Sequence, residues 1–118
     1  PSYYEPWGYT PLESVAFGVP TITTSLSGFG QWILSTDRNS FAASGVCVLN
    51  RGDFNYDEVA DNIASTLASL ASTDDKTRTK YSKAARETAK LAAWSNFIKY
   101  YITAYNDALY NASCRLTD

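Results

Sequence analysis

The sequence predicts an α/β fold, in the order helix, strand, strand, helix that is typical of one half of a doubly wound parallel sheet. Two short runs, residues 21–24 and 46–49, have the β-branched or continuously apolar composition of buried strands. A helix signal precedes the first strand, and apolar residues at helical spacing dominate the second half of the chain. We therefore expect an α/β portion over about residues 1–50 and a helical portion over about residues 55–112.

The first helix is expected to begin at Thr10. Thr10, Pro11 and Glu13 have the spacing of a capping box with proline at the first helical position. Gly18, followed by Val19 and a proline, predicts the end of this helix, because glycine readily adopts the left-handed conformation of a C-terminal cap.

The later elements follow from spacing and charge. A short helix is expected over residues 29–34 and irregular chain over residues 35–44. Apolar residues at helical spacing predict a helix over residues 57–72. Asp74-Asp75 should begin another helix, since negative charge suits a helix N-terminus, and six cations follow as a solvent-exposed face. A last helix is expected from Trp94 to Tyr110, with an aromatic face used for packing.

Composition and charge exclude several classes of protein. The 118 residues are 45% hydrophobic and 19% charged, which is ordinary for one globular domain. The net charge of −2 does not favour nucleic acid or an anionic membrane, and no apolar run is long enough to span a bilayer. The absence of histidine excludes histidine-based zinc sites and a Ser-His or Cys-His nucleophile within this chain. We predict no metal, no nucleic-acid partner and no membrane partner.

The cysteines predict a reducing compartment. Cys47 lies in an apolar strand, where a thiol is usually a small buried core residue, and Cys114 is distant in the sequence. Two cysteines without metal-ligand spacing do not make a disulfide framework in so short a chain. No secretory signal is recognisable, and the expected location is the cytoplasm.

Candidate functional residues concentrate at the start of the chain. A strand end, a loop containing Gly8 and a helix N-terminus occur there in the order that binds phosphates and nucleotides in open α/β sheets. Glu5 in the loop and Glu13 in the helix are both candidates to face the resulting crevice. Each also has a structural interpretation, Glu13 as part of the capping box and Glu5 as a solvated loop acid. Trp7 and Tyr9 are also compatible with packing in a core or a lid, without contact to a ligand.

These residues carry a family resemblance. Residues 4–13, with the sequence Tyr-Glu-Pro-Trp-Gly-Tyr-Thr-Pro-Leu-Glu, closely resemble the motif of the glycogen synthase family of the animal and fungal type. Residues 18–30 are similar to the segment after that motif, and residues 94–109 to the family's C-terminal helix. Seven residues separate Glu5 from Glu13, a spacing that marks many retaining glycosyltransferases of the GT-B fold. The resemblance implies part of a Rossmann-like GT-B C-terminal domain with a helical tail.

The resemblance also implies an activity and its residues. Glucose would pass from a nucleotide sugar, which in this family is usually UDP-glucose, to the non-reducing end of an α-1,4-glucan, without a metal or other cofactor; the sequence does not distinguish UDP-glucose from ADP-glucose. Glu5 would be the catalytic carboxylate beside the donor glucose. Donor binding would involve five residues: Trp7, Gly8, Tyr9, Thr10 and Glu13, the last through the ribose.

One departure from the family concerns regulation. Eukaryotic relatives bind activating glucose-6-phosphate on an arginine-rich helix, whereas the corresponding helix here has only Arg78 and Arg86 among lysines and alanines. This departure puts control by a sugar phosphate in doubt, and the sequence does not decide whether an effector acts.

We interpret the chain as the C-terminal part of the donor-binding domain of a longer enzyme, because it contains no methionine and opens in a functional loop. Its partner would be an N-terminal domain of the same polypeptide, so the isolated chain is expected to be inactive. Two alternatives stay open: another retaining GT-B enzyme of the sucrose-synthase-like kind, and a non-catalytic glucan-binding module. The oligomeric state is also open, and a homo-oligomer is compatible with the sequence.

Overall fold

A computed structural model describes residues 4–115 of the chain. The elements are α1 (Tyr9–Ala16), β1 (Thr21–Thr24), α2 (Gly28–Leu34), α3 (Phe41–Ser44), β2 (Val46–Leu49), α4 (Tyr56–Ala71), α5 (Asp75–Leu91) and α6 (Trp94–Arg115). β1 and β2 pair in parallel, with Thr21 opposite Val46 and Thr24 opposite Leu49. The predicted α/β class is confirmed.

The start of α1 differs from the prediction. The helix begins at Tyr9 after an N-cap at Gly8, whose φ is 110° and which makes no side-chain capping hydrogen bond. The predicted capping box of Thr10 and Glu13 is therefore wrong, because Thr10 already lies inside the helix. The left-handed backbone at Gly8 leads the loop directly into the helix, a conformation that glycine adopts without strain. Pro11 falls in the first turn, where a backbone N–H has no intrahelical partner to lose.

The end of α1 confirms the prediction. Gly18 has a φ of 78°, and its N–H donates to the carbonyl of Val15 at 2.9 Å. The N–H of Val19 donates to the carbonyl of Ser14, also at 2.9 Å. These two bonds form a Schellman motif, which accounts for the glycine at this position.

A small core lies between the sheet and the helices α1, α2 and α5. Its buried hydrophobic residues are Val15, Phe29, Ile33, Val46 and Ala85. α5 packs against both α1 and α3. The buried hydroxyl of Thr88 donates to the carbonyl of Ser44 at 2.9 Å, so a satisfied polar contact fixes α5 close to the start of β2.

Two local predictions need correction. The segment expected to be irregular contains the short helix α3, which is held by a tertiary contact: the Phe41 ring packs on the Tyr81 ring of α5, with centroids 4.7 Å apart. Cys47 is half-buried rather than fully buried, because β2 is covered less completely than its apolar sequence suggests. Cys114 is exposed on α6.

The aromatic face of α6 is mostly exposed. The helix is 22 residues long, with no buried residue, and Phe97 in its first turns packs against the rings of Trp7 and Trp32. Farther along, Tyr105 and Leu109 are 64% and 69% exposed. Within residues 4–115, no helix has both the length and the apolar character needed to cross a membrane.

α5 begins where the sequence predicts, and Asp74 is its N-cap. Its carboxylate accepts a hydrogen bond from the N–H of Thr77 at 2.8 Å. The hydrogen bonds from Thr77, with a smaller contribution from the charge of Arg78, hold the pKa of Asp74 below its ordinary value. The ionised carboxylate is therefore the form that stabilises the folded helix.

We expect Asp74→Ala to lower the urea midpoint more at pH 7 than at pH 3. Because the folded pKa lies below the unfolded value of about 3.9, this stabilisation is present above the unfolded pKa and is lost as the pH falls through the folded pKa. Equilibrium unfolding in urea at both pH values measures the difference. Asp53→Ala, which removes an exposed loop carboxylate, is the control, and an equal loss for Asp74→Ala at both pH values would contradict the expectation.

Candidate functional site

Glu5 lies just beyond the carboxyl end of β1. It pairs with Ser27, three residues after the end of β1, in an isolated parallel β-bridge. The strand end that the sequence predicts before this loop falls on residues outside the described range. The N–H of Glu5 donates to the carbonyl of Leu26 at 3.4 Å, and the N–H of Gly28 donates to the carbonyl of Glu5 at 3.0 Å. The backbone that carries this carboxylate is thereby fixed at the strand edge where open α/β sheets bind ligands.

The Glu5 side chain lines a polar cavity of about 350 Å³ together with Thr10 of α1. Its other walls are formed by Pro11, Ser14, Thr21, Ile22, Thr23, Thr24 and Ser27. Glu5 lies close to the N-terminus of α1, since a Cβ at Gly8 would be 3.3 Å from its Oε2 atom. This arrangement puts a carboxylate, several hydroxyl groups and the positive end of a helix dipole around one space. Such a site suits a ligand with hydroxyl groups and an anionic group.

Trp7 and Tyr9 line a different cavity. This second space measures about 690 Å³, and its remaining walls are Leu12, Trp32, Ser35, Ala92, Trp94, Phe97, Tyr100 and Tyr101. The Trp7 ring packs edge-on against Phe29 and tilted against Trp32, with centroid distances of 5.9 and 5.8 Å. The structure therefore separates the side chains of Trp7 and Tyr9 from those of Glu5 and Thr10, although all four residues belong to one short segment.

Glu13 is exposed on the surface of α1. It is not among the residues that line the cavity at Glu5, so the described part of the chain does not bring the two glutamates into one cavity. Its carbonyl accepts the N–H of Phe17 at 3.1 Å, as expected for a residue in the body of a helix.

Sequence reasoning did not identify Ser27 as part of the site. Ser27 is the N-cap of α2, and its hydroxyl accepts the N–H of Gly30 at 3.0 Å. The same hydroxyl shares a buried hydrogen bond of 2.9 Å with the hydroxyl of Thr23. The sequence did contain a signal for a helix that begins after Ser27, because serine is a favoured N-cap. The glycines on both sides of Phe29 were a second signal, since glycine allows close approach of the backbone.

The basic residues of α5 form a separate, exposed face, as expected. Arg78 pairs with Asp75 at 3.1 Å, and Lys90 pairs with Glu87 at 2.8 Å. Arg86 donates to the carbonyl of Phe17 at 3.3 Å. Among residues 4–115, no cluster of histidine, cysteine, aspartate or glutamate is arranged to hold a metal ion.

Comparison with known proteins identifies relatives. A family profile described as glycogen synthase matches residues 1–115. The chain is 32% identical to glycogen [starch] synthase of Neurospora crassa over 94% of its length, and that match covers 16% of the relative. It is 32% identical to glycogen [starch] synthase isoform 1 of Saccharomyces cerevisiae, in a match that covers 88% of this chain and 15% of the relative. It is 31% identical to the liver glycogen [starch] synthase of Mus musculus, in a match that covers 86% of this chain and 14% of the relative. The chain spans about one sixth of the length of these curated relatives.

Proposed function

This chain belongs to the glycogen synthase family, and we propose that the polypeptide containing it is a retaining glucosyltransferase of the GT-B fold. The donor is a nucleotide sugar, with UDP-glucose preferred, and the acceptor is the non-reducing end of an α-1,4-glucan. The observation that carries the proposal is the position of Glu5, a half-buried carboxylate beside the N-terminus of α1 in a cavity lined by hydroxyl groups.

The N-terminus of α1 is suited to the donor diphosphate. The first-turn amides of Tyr9 and Thr10 have no partner within the helix, and the helix dipole places partial positive charge at this end. Gly8 has no side chain to keep a ligand away from the backbone. When the bond between glucose and the nucleotide breaks, the departing diphosphate gains negative charge, which these groups stabilise where it forms.

We assign Glu5 to the reacting glucose. The transition state of glycosyl transfer is oxocarbenium-like, and its positive charge is stabilised by a carboxylate close to the sugar ring. We do not assign Glu5 the role of a covalent nucleophile. Thr10, which lines the same cavity, would bind the donor beside it.

The other proposed donor contacts are constrained by the fold. Because the Trp7 ring is engaged with Phe29 and Trp32, its contact with the donor would come from its backbone. Tyr9 would contribute its first-turn amide. Glu13, being exposed on α1, would meet a ribose only where the nucleotide extends over the outer surface of that helix.

We expect the complete natural polypeptide to transfer glucose from UDP-glucose to glycogen faster than from ADP-glucose, because the matching motif is of the animal and fungal type. Incorporation of labelled glucose into glycogen measures both rates. The isolated residues 1–118 are the control and are expected to be inactive, since a second domain would have to bind the acceptor. Glycogen binding without transfer from either donor would favour a glucan-binding module. Transfer to a different acceptor would favour another retaining GT-B enzyme.

A further inference from the structure

We infer that Gly28 is a positioning residue for the Glu5 carboxylate, a role that rests on the proposed function. The start of α2 holds the loop that carries Glu5 through backbone contacts. The N–H of Gly28 donates to the carbonyl of Glu5 at 3.0 Å, and the N–H of Phe29 donates to the carbonyl of Trp7 at 2.6 Å. In return, the N–H of Glu5 donates to the carbonyl of Leu26 at 3.4 Å. The loop is thus held at Glu5 and Trp7 by three backbone hydrogen bonds to residues 26–29.

Only glycine fits at position 28, because the loop lies directly against its Cα atom. A Cβ there would overlap the carbonyl oxygen of Pro6 and would lie 3.1 Å from the Cα of Trp7. Both neighbours are backbone atoms, so no change of side-chain rotamer relieves the overlap. The φ angle of Gly28 is not in the positive range that favours glycine. The requirement for glycine therefore comes from the loop and not from the helix that begins at this residue.

The turn that holds the loop is itself anchored on β1. The Ser27 residue is only 3% exposed, and its hydroxyl donates to the carbonyl of Thr24 at 3.1 Å while accepting the N–H of Gly30. A Cβ at Gly30 would overlap the same Thr24 carbonyl oxygen, so α2 approaches β1 as closely as glycine allows. Contacts from β1 through α2 therefore define where Glu5 lies.

Alanine at position 28 has to displace Pro6, whose direct neighbour is Glu5. Shifting a catalytic group by about 1 Å costs roughly 100-fold in rate. In the complete polypeptide we therefore expect Gly28→Ala to lower kcat roughly 100-fold. The KM for the donor should rise by a smaller factor, because a Cβ at position 28 also approaches the Trp7 backbone that we assign to the donor, whereas Gly28 contacts neither the first-turn amides of α1 nor Thr10.

A double-mutant cycle with Glu5→Gln tests the mechanism. If Gly28 acts by placing the Glu5 carboxylate, its replacement costs little once that carboxylate is gone, because groups that act as a unit are not additive. We expect the double variant to retain the kcat of Glu5→Gln to within about threefold. Gly52→Ala is the matched control, since a Cβ at Gly52 would meet only Asn55 Oδ1, at 4.0 Å, and it should keep the full kcat.

The outcomes separate the inference from the proposed function. Full kcat in Gly28→Ala, or a loss that multiplies with that of Glu5→Gln, overturns the positioning role while leaving the function intact. Full transfer by Glu5→Gln overturns the catalytic role of Glu5 and the inference with it.

If Gly28→Ala does not fold, Ser27→Ala replaces it in the same cycle, since it removes the anchoring hydroxyl without adding an atom. A smaller loss of kcat in Ser27→Ala that vanishes in the Glu5→Gln background supports the role. An unchanged kcat in Ser27→Ala, or a loss that multiplies with that of Glu5→Gln, overturns it.

Discussion

Replacing Glu5 by glutamine in the complete polypeptide is expected to lower kcat for glucosyl transfer by about 10²- to 10³-fold, the effect of removing one well-placed electrostatic group. Glutamine keeps the shape of the side chain and removes its negative charge. Because Glu5 is half-buried, water screens its charge less than at an exposed position, so the loss of that charge is felt as positive charge develops on the sugar. The KM for the donor should change little, because the diphosphate is held by α1. Initial rates with varied donor concentration separate the two constants.

The matched control for this prediction is Glu58→Gln. Glu58 is an acidic residue in the first turn of α4, exposed and outside both cavities. Its variant should transfer glucose at the wild-type rate. A Glu5→Gln variant with a raised KM and an unchanged kcat would contradict the assigned role and would make Glu5 a residue of donor binding alone.

The largest loss of stability is expected from Phe29→Ala. Phe29 is 0% exposed, and its ring packs against Trp7 and Trp32 with centroid distances of 5.9 and 5.6 Å. Removing a buried phenylalanine ring costs about 3–5 kcal/mol, through lost burial and the cavity left behind. A domain has only about 5–15 kcal/mol of stability in total. Urea unfolding followed by tryptophan fluorescence measures the loss, because both tryptophans adjoin the substituted ring.

Phe54 is the control for that experiment. It is the same residue type at the opposite extreme of exposure, 101%, in the loop before α4. Phe54→Ala should change the free energy of unfolding by less than about 0.5 kcal/mol. A similar loss in both variants would contradict the packing described for α2.

Elements with strong local signals were predictable from the sequence. Gly18 marked the end of α1 because its left-handed conformation closes the helix, and Asp74 marked the start of α5 because its carboxylate caps a free N–H. The start of α1 was misplaced, because a glycine N-cap leaves no side-chain signal and the neighbouring Thr10 offers a false one. α3 was missed, since its Phe41 ring is held by Tyr81 from a helix far along the chain.

The candidate site likewise has features that were predictable from the sequence and features that were not. The sequence by itself determined that Glu5 stands in a loop leading into a helix N-terminus, because Gly8 and the helix signal follow it directly in the chain. Only the tertiary structure decided that the Trp7 ring turns toward Phe29 while Glu5 faces the polar cavity. It also decided that Gly28 lies against the backbone of this loop. These arrangements depend on backbone contacts between segments distant in the chain, and no local periodicity or capping pattern encodes such contacts.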